Sequence, residues 1–545
     1  MERISQAFLN FVNSKYGIDT NIVLARTDEK FGDFSTNIAM QIAGRLGHNP
    51  RQVAEEIVAN ISDDLITDIQ VAGPGFINIT LSESGLIQFA ESEPQRIYAN
   101  QSVVIETNNP NPFKAMHVGH AFNAILADNV ANLLEAGGAN VFRVSYHGDV
   151  GLHVGKSMYS LLAYVDGDAS KLDQIAENER NAFMSKMYAT GSTAYKSDET
   201  AKLEIDELAK QSFTREDPLF AKVYDTCKDW SFEQIDRDVA RLGNKPTERR
   251  FLESDAELRG VKIVKDNTPG VFIESDGAIV FEGSKYGAFD NAFVSKRGTG
   301  LYASRDLGLI QLKNEYYHPQ KSYIVTAEEQ RDYFKGVIVA AGLCMPDLKD
   351  VTVNISTGTV LLPSGKMSSR DGAVVDIALL FEQVSEAIKS RGGTSDDISI
   401  AAVLRYQFLQ VRIGGDVVFD VDNASSVQGN SGPYLQYAHA RARSIIAKVG
   451  SESVGELVDL QPDERSLLRK IGEYNEVVDR AVAELLPHYV CNYLYELSQG
   501  FNKFYEHNRV AGDERESVRL KLVMLYADTI KSGLGLLGIH APDKM

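Results

Sequence analysis

One stretch constrains this chain more than any other: Asn111-Pro-Phe-Lys-Ala-Met-His-Val-Gly-His120, a short loop that feeds a helix. Val103-Val104-Ile105 runs before it as a strand pattern. After it comes an amphipathic segment with apolar residues at Ile125, Leu126, Val130, Leu133 and Leu134, closed by Gly137-Gly138, and Val141-Phe-Arg-Val144 then resumes a strand pattern. That is a βαβ unit. His117-Val-Gly-His120 lies at the start of its helix, where free backbone N–H groups and the positive end of the helix dipole favour an anion. Gly119 leaves no side chain between the backbone and a nucleotide. Two imidazoles three residues apart share one helical face and can both donate to phosphate oxygens.

A second stretch, Gly365-Lys-Met-Ser-Ser-Arg370, sits about 250 residues later, after the apolar run Val360-Leu-Leu-Pro363 and before the turn signal Asp371-Gly372. On a glycine-hinged loop Lys366 can deliver a point charge to the β and γ phosphates of ATP, and Ser368 and Ser369 add hydroxyl donors. In order and separation the two stretches resemble the HIGH and KMSKS signatures of class I aminoacyl-tRNA synthetases.

A chain of 545 residues has room for two to four domains, and 43% hydrophobic with 24% charged residues is ordinary for a soluble protein. No apolar run approaches the roughly 18 to 20 residues that cross a bilayer, and Met1-Glu-Arg-Ile4 lacks the plan of a signal peptide. A cytoplasmic protein with no membrane partner is expected. Cys227, Cys344 and Cys491 are the only cysteines and lie far apart, so neither a disulfide framework nor a structural zinc site is expected; they read as small buried residues. The net charge of −19 argues against generic nucleic-acid affinity and leaves room for a local basic groove.

Taken in order, residues 1–98 read as a small α+β domain, with helical patterning at 4–11, 37–46 and 53–61 and a strand pair over 69–79. Asn49-Pro50-Arg51 marks a helix start. Residues 99–390 read as a Rossmann-like α/β domain, interrupted at about 160–290 by an insertion with acidic and basic helices and a hairpin turning at Asp276-Gly277. Residues 391–545 read as an all-α domain, with amphipathic segments at 398–412, 433–448, 463–485, 489–507 and 513–537. The fold class expected is multidomain α/β.

Three blocks narrow the resemblance within class I to arginyl-tRNA synthetases: Asn109 to His120, Gln428-Gly-Asn-Ser-Gly-Pro-Tyr-Leu-Gln-Tyr-Ala-His-Ala-Arg441, and the closing Leu536 to Met545. Gly32 to Asn37 and Val71 to Asn78 resemble that family's N-terminal additional domain, which contacts the tRNA D-loop. The resemblance implies an arginine–tRNA ligase that forms arginyl-adenylate from L-arginine and ATP with Mg²⁺ and passes the arginyl group to tRNA(Arg), working as a monomer and helical at its anticodon-binding end. Carried over position by position, His117, Gly119 and His120 hold ATP together with Lys366, Met367, Ser368 and Ser369, and Lys114 shares the phosphate role. Arginine meets Glu253, Tyr302 and Asp306 at its guanidinium. Asn111, Gln330 and Glu106 meet its α-amino and carboxylate groups, with Glu329 as the alternative to Gln330. Carboxylates suit a planar cation with five N–H donors, and the spacing of four puts Tyr302 and Asp306 on one face of a helix. For tRNA the positions are Asn78, Tyr434, Ala438 and Met545; the alternative for Tyr434 is a core residue of the bundle. Two departures stand out. The family's Gly-Asp-Trp-Gly is Gly148-Asp-Val-Gly151 here, losing an aromatic wall, and its Leu-Arg-Ser-Thr is Ala121-Phe-Asn-Ala124, losing a cation. Two other readings are a small-molecule nucleotidyltransferase, which would leave the helical end and second signature unexplained, and a catalytically dead tRNA-binding paralogue, against which the intact His117, His120 and Lys366 speak.

Overall fold

Val103, Val104 and Ile105 are each at most 1% exposed, because their strand is covered on both faces, where apolar runs replace alternation. That strand is β1 (Ser102–Asn108), the centre of a parallel sheet with β2 (Asn140–His147), β3 (Arg249–Leu252), β4 (Lys321–Ala327) and β5 (Thr352–Thr357) in the order β5-β4-β1-β2-β3. The computed structural model describes residues 2–363, 365–366, 375–450 and 454–545. Helix α1 (Val118–Ala136) makes the crossover from β1 to β2, and Ile125, Leu126, Val130, Leu133 and Leu134 are all buried along it. The chain adds strands on one side of β1 and later on the other, so a crevice opens at the carboxyl ends of β1 and β4, the usual ligand position in such sheets.

The expected insertion over about 160–290 is not continuous, which corrects the sequence reading. Helices from Leu152 to Arg241 come first, but Arg249–Leu252 then returns to the central sheet beside β2 as β3 and leads into α2 (Glu253–Asp266). Only afterwards does the hairpin Phe272–Ser275 with Ala278–Phe281 form, and it joins Asn291–Val294 in a separate sheet. Asp276 and Gly277 both have positive φ at its turn, as expected. Helix α3 (Tyr302–Tyr317) follows and packs on α2.

The N-terminal part holds a four-stranded antiparallel sheet whose main pair is Ile66–Ala72 with Phe76–Leu81, and Asn49 caps the helix Pro50–Asn60 by accepting from the Arg51 N–H at 2.9 Å. Fully buried Asp33 fastens this part to the C-terminal helices through Arg465 at 2.6 Å and Arg469 at 3.0 Å. The C-terminal part contains α4 (Asp397–Leu409), α5 (Gly432–Val449) and α6 (Glu516–Leu536). The segment expected as one helix over 463–485 is two, Pro462–Ile471 and Tyr474–Glu484, separated at Gly472. Cys227 and Cys491 are buried and Cys344 only partly so.

Asp128, on α1, joins these parts. One carboxylate oxygen accepts from Arg143 at 3.1 Å, and the other from Arg405 of α4 at 2.8 Å. Arg405, fully buried, also donates to the carbonyls of Leu242 and Leu537 and to the Asn244 side chain. Losing one side of a buried pair costs about 3–5 kcal/mol. Arg405→Met is therefore expected to lower stability by roughly that amount in urea unfolding; an unchanged midpoint would show that the node bears no load.

Candidate active site

The second signature is tied to the body of the protein on both sides, and its far side reaches the first. Gly365–Lys366 pairs with Val360–Leu362, and past the loop His117 bridges Asp376 while the Val118 N–H donates to Val375 O at 3.0 Å. The backbone of Lys366 is thus placed, whereas Met367, Ser368 and Ser369 lie outside the described residues.

His117 and His120 cap the start of α1 for each other. The His120 N–H donates to His117 Nδ1 at 3.4 Å and the His117 N–H to His120 Nδ1 at 3.3 Å, and the rings stack at 3.6 Å. With both Nδ1 atoms accepting, each neutral ring carries its proton on Nε2 and can donate from there. Burial, with Lys114 adding to it, pushes His117 down to about 4, and burial with the charges of His117 and Lys114 pushes His120 well below its usual value. Both are therefore neutral donors at neutral pH, not cations. Burial also lowers Lys114. A Cβ on Gly119 would lie 3.1 Å from the His117 ring, so glycine is also what lets the two rings stack.

Beside this helix start lies a cavity of about 510 Å³, and Glu106, Asn111, His120, Glu253, Tyr302, Asp306, Glu329 and Gln330 all line it. They come from the ends of β1 and β4 and the starts of α1, α2 and α3, so the fold brings together side chains spread from Glu106 to Gln330. Tyr302 and Asp306 do share a helical face. Tyr302 is 70% exposed at the rim. Glu329 and Gln330 occupy one 3-10 turn and both reach the wall.

The three carboxylates differ in what holds them. Glu106 accepts from Lys313 and from the Asn109 amide, each at 2.7 Å, and Lys313 is 1% exposed. Glu253 accepts from Arg305 at 2.8 Å. Among the described residues, Asp306 has no cation within pairing distance and accepts only the neutral hydroxyl of Tyr333. Burial, with Glu106 and Glu253 adding to it against the Tyr333 bond, pushes Asp306 up to about 7. Lys313, Arg305, Asn109 and Tyr333 were not legible as site residues, because nothing local marks a counter-ion. Tyr146, also in the wall, has a buried hydroxyl with no partner among the described residues.

A family model described as the class I (R) tRNA synthetase catalytic domain matches residues 84–399, one for the arginyl-tRNA synthetase N-terminal domain matches 2–81, and one for the DALR anticodon-binding domain matches 435–545. The arginine–tRNA ligase of Haemophilus influenzae is 31% identical over 95% of this chain and 94% of its own. That of Psychromonas ingrahamii is 31% identical over 97% and 96%. The chain belongs to the class I arginyl-tRNA synthetases. In fold it matches the Thermus thermophilus arginyl-tRNA synthetase with a TM-score of 0.82 at 21% identity, over all of both chains.

The two departures from the synthetase pattern are absorbed by packing. Val150 is 1% exposed, and its neighbour Asp149 accepts from the N–H and hydroxyl of Ser254, holding the start of α2 and hence Glu253. Phe122 packs edge-on against Phe408 of α4 at 5.3 Å, and Asn123 accepts from Thr357. Of the positions carried over for tRNA, Asn78 is partly exposed on its strand and Met545 is 61% exposed. Ala438 is 3% exposed and presents little surface. Tyr434 is half-buried: it accepts from Asn502 at 2.9 Å and meets Tyr495 edge-on, and the rest of its ring remains exposed.

Asp306 also has a consequence for stability. A carboxyl at about 7 when folded and 3.8 otherwise binds its proton more tightly in the folded state, so the stability it contributes is present below the lower value and is lost as pH rises through the upper one. Asp306→Asn is expected to remove that loss and raise stability at pH 8 by about 1–3 kcal/mol relative to wild type, with little difference at pH 4. Melting temperatures at the two pH values check it, and an equal shift at both would rule the titration out.

Proposed function

We propose that the chain is an arginine–tRNA ligase whose arginine seat is the cavity at the carboxyl ends of β1 and β4. The observation that carries this is the placement of Glu106, Glu253 and Asp306 around one cavity next to the His117 and His120 helix start. Free arginine brings two cations. Glu106 and Glu253 each already hold one protein cation, and Asp306 holds none among the described residues. A guanidinium fork is best met by a carboxylate with room for two parallel bonds, so Asp306 takes the largest share of it, with Glu253 beside it and Tyr302 over the rim. Asn111, with Gln330 or Glu329, holds the α-amino and carboxylate end. The Asn111 Oδ1 already accepts from the Gly148 N–H at 2.8 Å, which leaves its amide protons to donate.

The reaction runs in two steps. The arginine carboxylate attacks the α-phosphate of ATP, giving arginyl-adenylate and pyrophosphate; the 2′-hydroxyl of the terminal adenosine of tRNA then attacks the arginyl carbonyl and takes the arginyl group, and AMP leaves. No enzyme nucleophile is needed, and catalysis comes from positioning and electrostatics. His117 and His120 donate from Nε2 to phosphate oxygens and hold them at the positive end of α1; Lys114 and Lys366 supply the cationic charge, and Met367, Ser368 and Ser369 complete the ATP site. Among the described residues no cluster of three or more His, Cys, Asp or Glu is arranged to hold an ion; Mg²⁺ fits instead on the phosphates of ATP, where it would offset their negative charge. The N-terminal part, residues 1–98 with Asn78, contacts the tRNA D-loop, residues 99–390 carry the chemistry, and residues 391–545 read the anticodon through Tyr434, Ala438 and Met545. The enzyme works as a cytoplasmic monomer.

ATP–pyrophosphate exchange driven by arginine, with and without tRNA, tests the proposal, and absence of exchange in both conditions would overturn it. Asp306→Asn is expected to lower kcat/KM for arginine at least about a hundredfold, the scale of an unpaired buried charge; unchanged kinetics would move the guanidinium elsewhere. Lys366→Ala is expected to slow adenylate formation by about 10² to 10³ with arginine binding little changed, and a rate near that of wild type would remove the second signature from the mechanism.

A further inference from the structure

Arg305 stands next to Asp306 in sequence, yet it faces away from the cavity. One helical step turns it toward α2, where its Nη1 donates to Glu253 Oε2 at 2.8 Å, its Nε to Glu257 Oε2 at 3.0 Å and its Nη2 to the Gly300 carbonyl at 3.3 Å. The three side chains are only 12–13% exposed. Glu257 also accepts from the Gly300 N–H at 3.0 Å, so the turn leading into Tyr302 is clamped from both sides, and the Arg305 guanidinium lies 5.4 Å from the Tyr302 ring.

The backbone leaves this arginine little freedom of position. A Cβ on Gly260 would lie 1.6 Å from the Ser304 carbonyl oxygen, and one on Gly308 would lie 2.0 Å from that of Ala256. Thus α2 and α3 touch backbone to backbone, and their register sets where Arg305 meets the two glutamates. Glu253 Oε1 is left without a partner among the described residues, and it points toward Gly148, where an added Cβ would sit 3.0 Å from it and 3.1 Å from Asn111 Oδ1. One oxygen is therefore committed to the protein and the other faces the cavity rim.

We propose that Arg305 is a positioning residue for arginine recognition: by holding Glu253 Oε2 it turns Oε1 to the substrate cation, so that Glu253 offers one hydrogen bond and not a two-oxygen fork. This rests on the reading that Glu253 meets the substrate guanidinium. Arg305 touches no substrate and acts on it only through Glu253. A lysine would keep the charge but could not span two carboxylates and a carbonyl from one planar group.

The test is a double-mutant cycle on full-length enzyme, reading KM for arginine, kcat, KM for ATP and melting temperature in Glu253→Gln, Arg305→Gln, the double variant and Arg305→Lys. Arg305→Gln is expected to raise KM for arginine about tenfold while KM for ATP stays within about twofold, and Arg305→Lys to fall between it and wild type. In the Glu253→Gln background the further effect of Arg305→Gln should vanish to within about twofold, since residues that act through one another are not additive. Effects that multiply, or an Arg305→Gln enzyme that uses arginine as well as wild type or better, would overturn the proposal. If Glu253→Gln alone leaves KM for arginine unchanged, the reading of Glu253 is what has failed and the proposal falls with it. If Arg305→Gln does not fold, Arg305→Lys in both backgrounds completes the same cycle.

Discussion

Two arginines converge on one buried aspartate, and the relation between the parts of this chain depends on it. Asp128 lies halfway along the helix whose first turn carries His117 and His120, and its oxygens are shared between Arg143 of the neighbouring strand and Arg405 of the C-terminal helices. A charge that deep is tolerated only when paired and hydrogen-bonded. Arg405 meets the same condition from the other side, using carbonyls at the end of the inserted helices and at the end of α6. The turn that carries His117 and His120 is therefore built on a helix whose position is set by the C-terminal helices as much as by the sheet.

The carboxylate cavity follows the same rule of paired charge, applied unevenly. Glu106 and Glu253 each have a protein cation, whereas Asp306 has a phenol. A carboxylate without a counter-ion among the described residues costs the folded protein stability above neutral pH and leaves one strong acceptor facing the cavity. Neutral histidines beside it follow from the same burial: imidazoles in a crowded helix start lose their charge and become neutral N–H donors.

By itself the sequence determined the local elements and the outline of the site. The βαβ unit, the cap at Asn49, the turn at Asp276-Gly277 and the order of three parts all come from patterns within about ten to twenty residues, where periodicity and turn chemistry act. The two signatures and the cavity residues were legible because their chemistry is specific. What only the tertiary structure decided is who pairs with whom. Arg249–Leu252 is too short and too charged to announce a strand of the central sheet, and only its place beside β2 makes it one. Arg305 reads as a helix-start cation until α2 brings Glu253 and Glu257 to it, Lys313 reads as a surface lysine until it meets Glu106 across 207 residues, and Arg405 reaches Asp128 across 277. A local pattern fixes backbone conformation and which face is apolar, but the energy of a buried charge depends on a counter-ion that may come from anywhere in the chain, and no local signal encodes that distance.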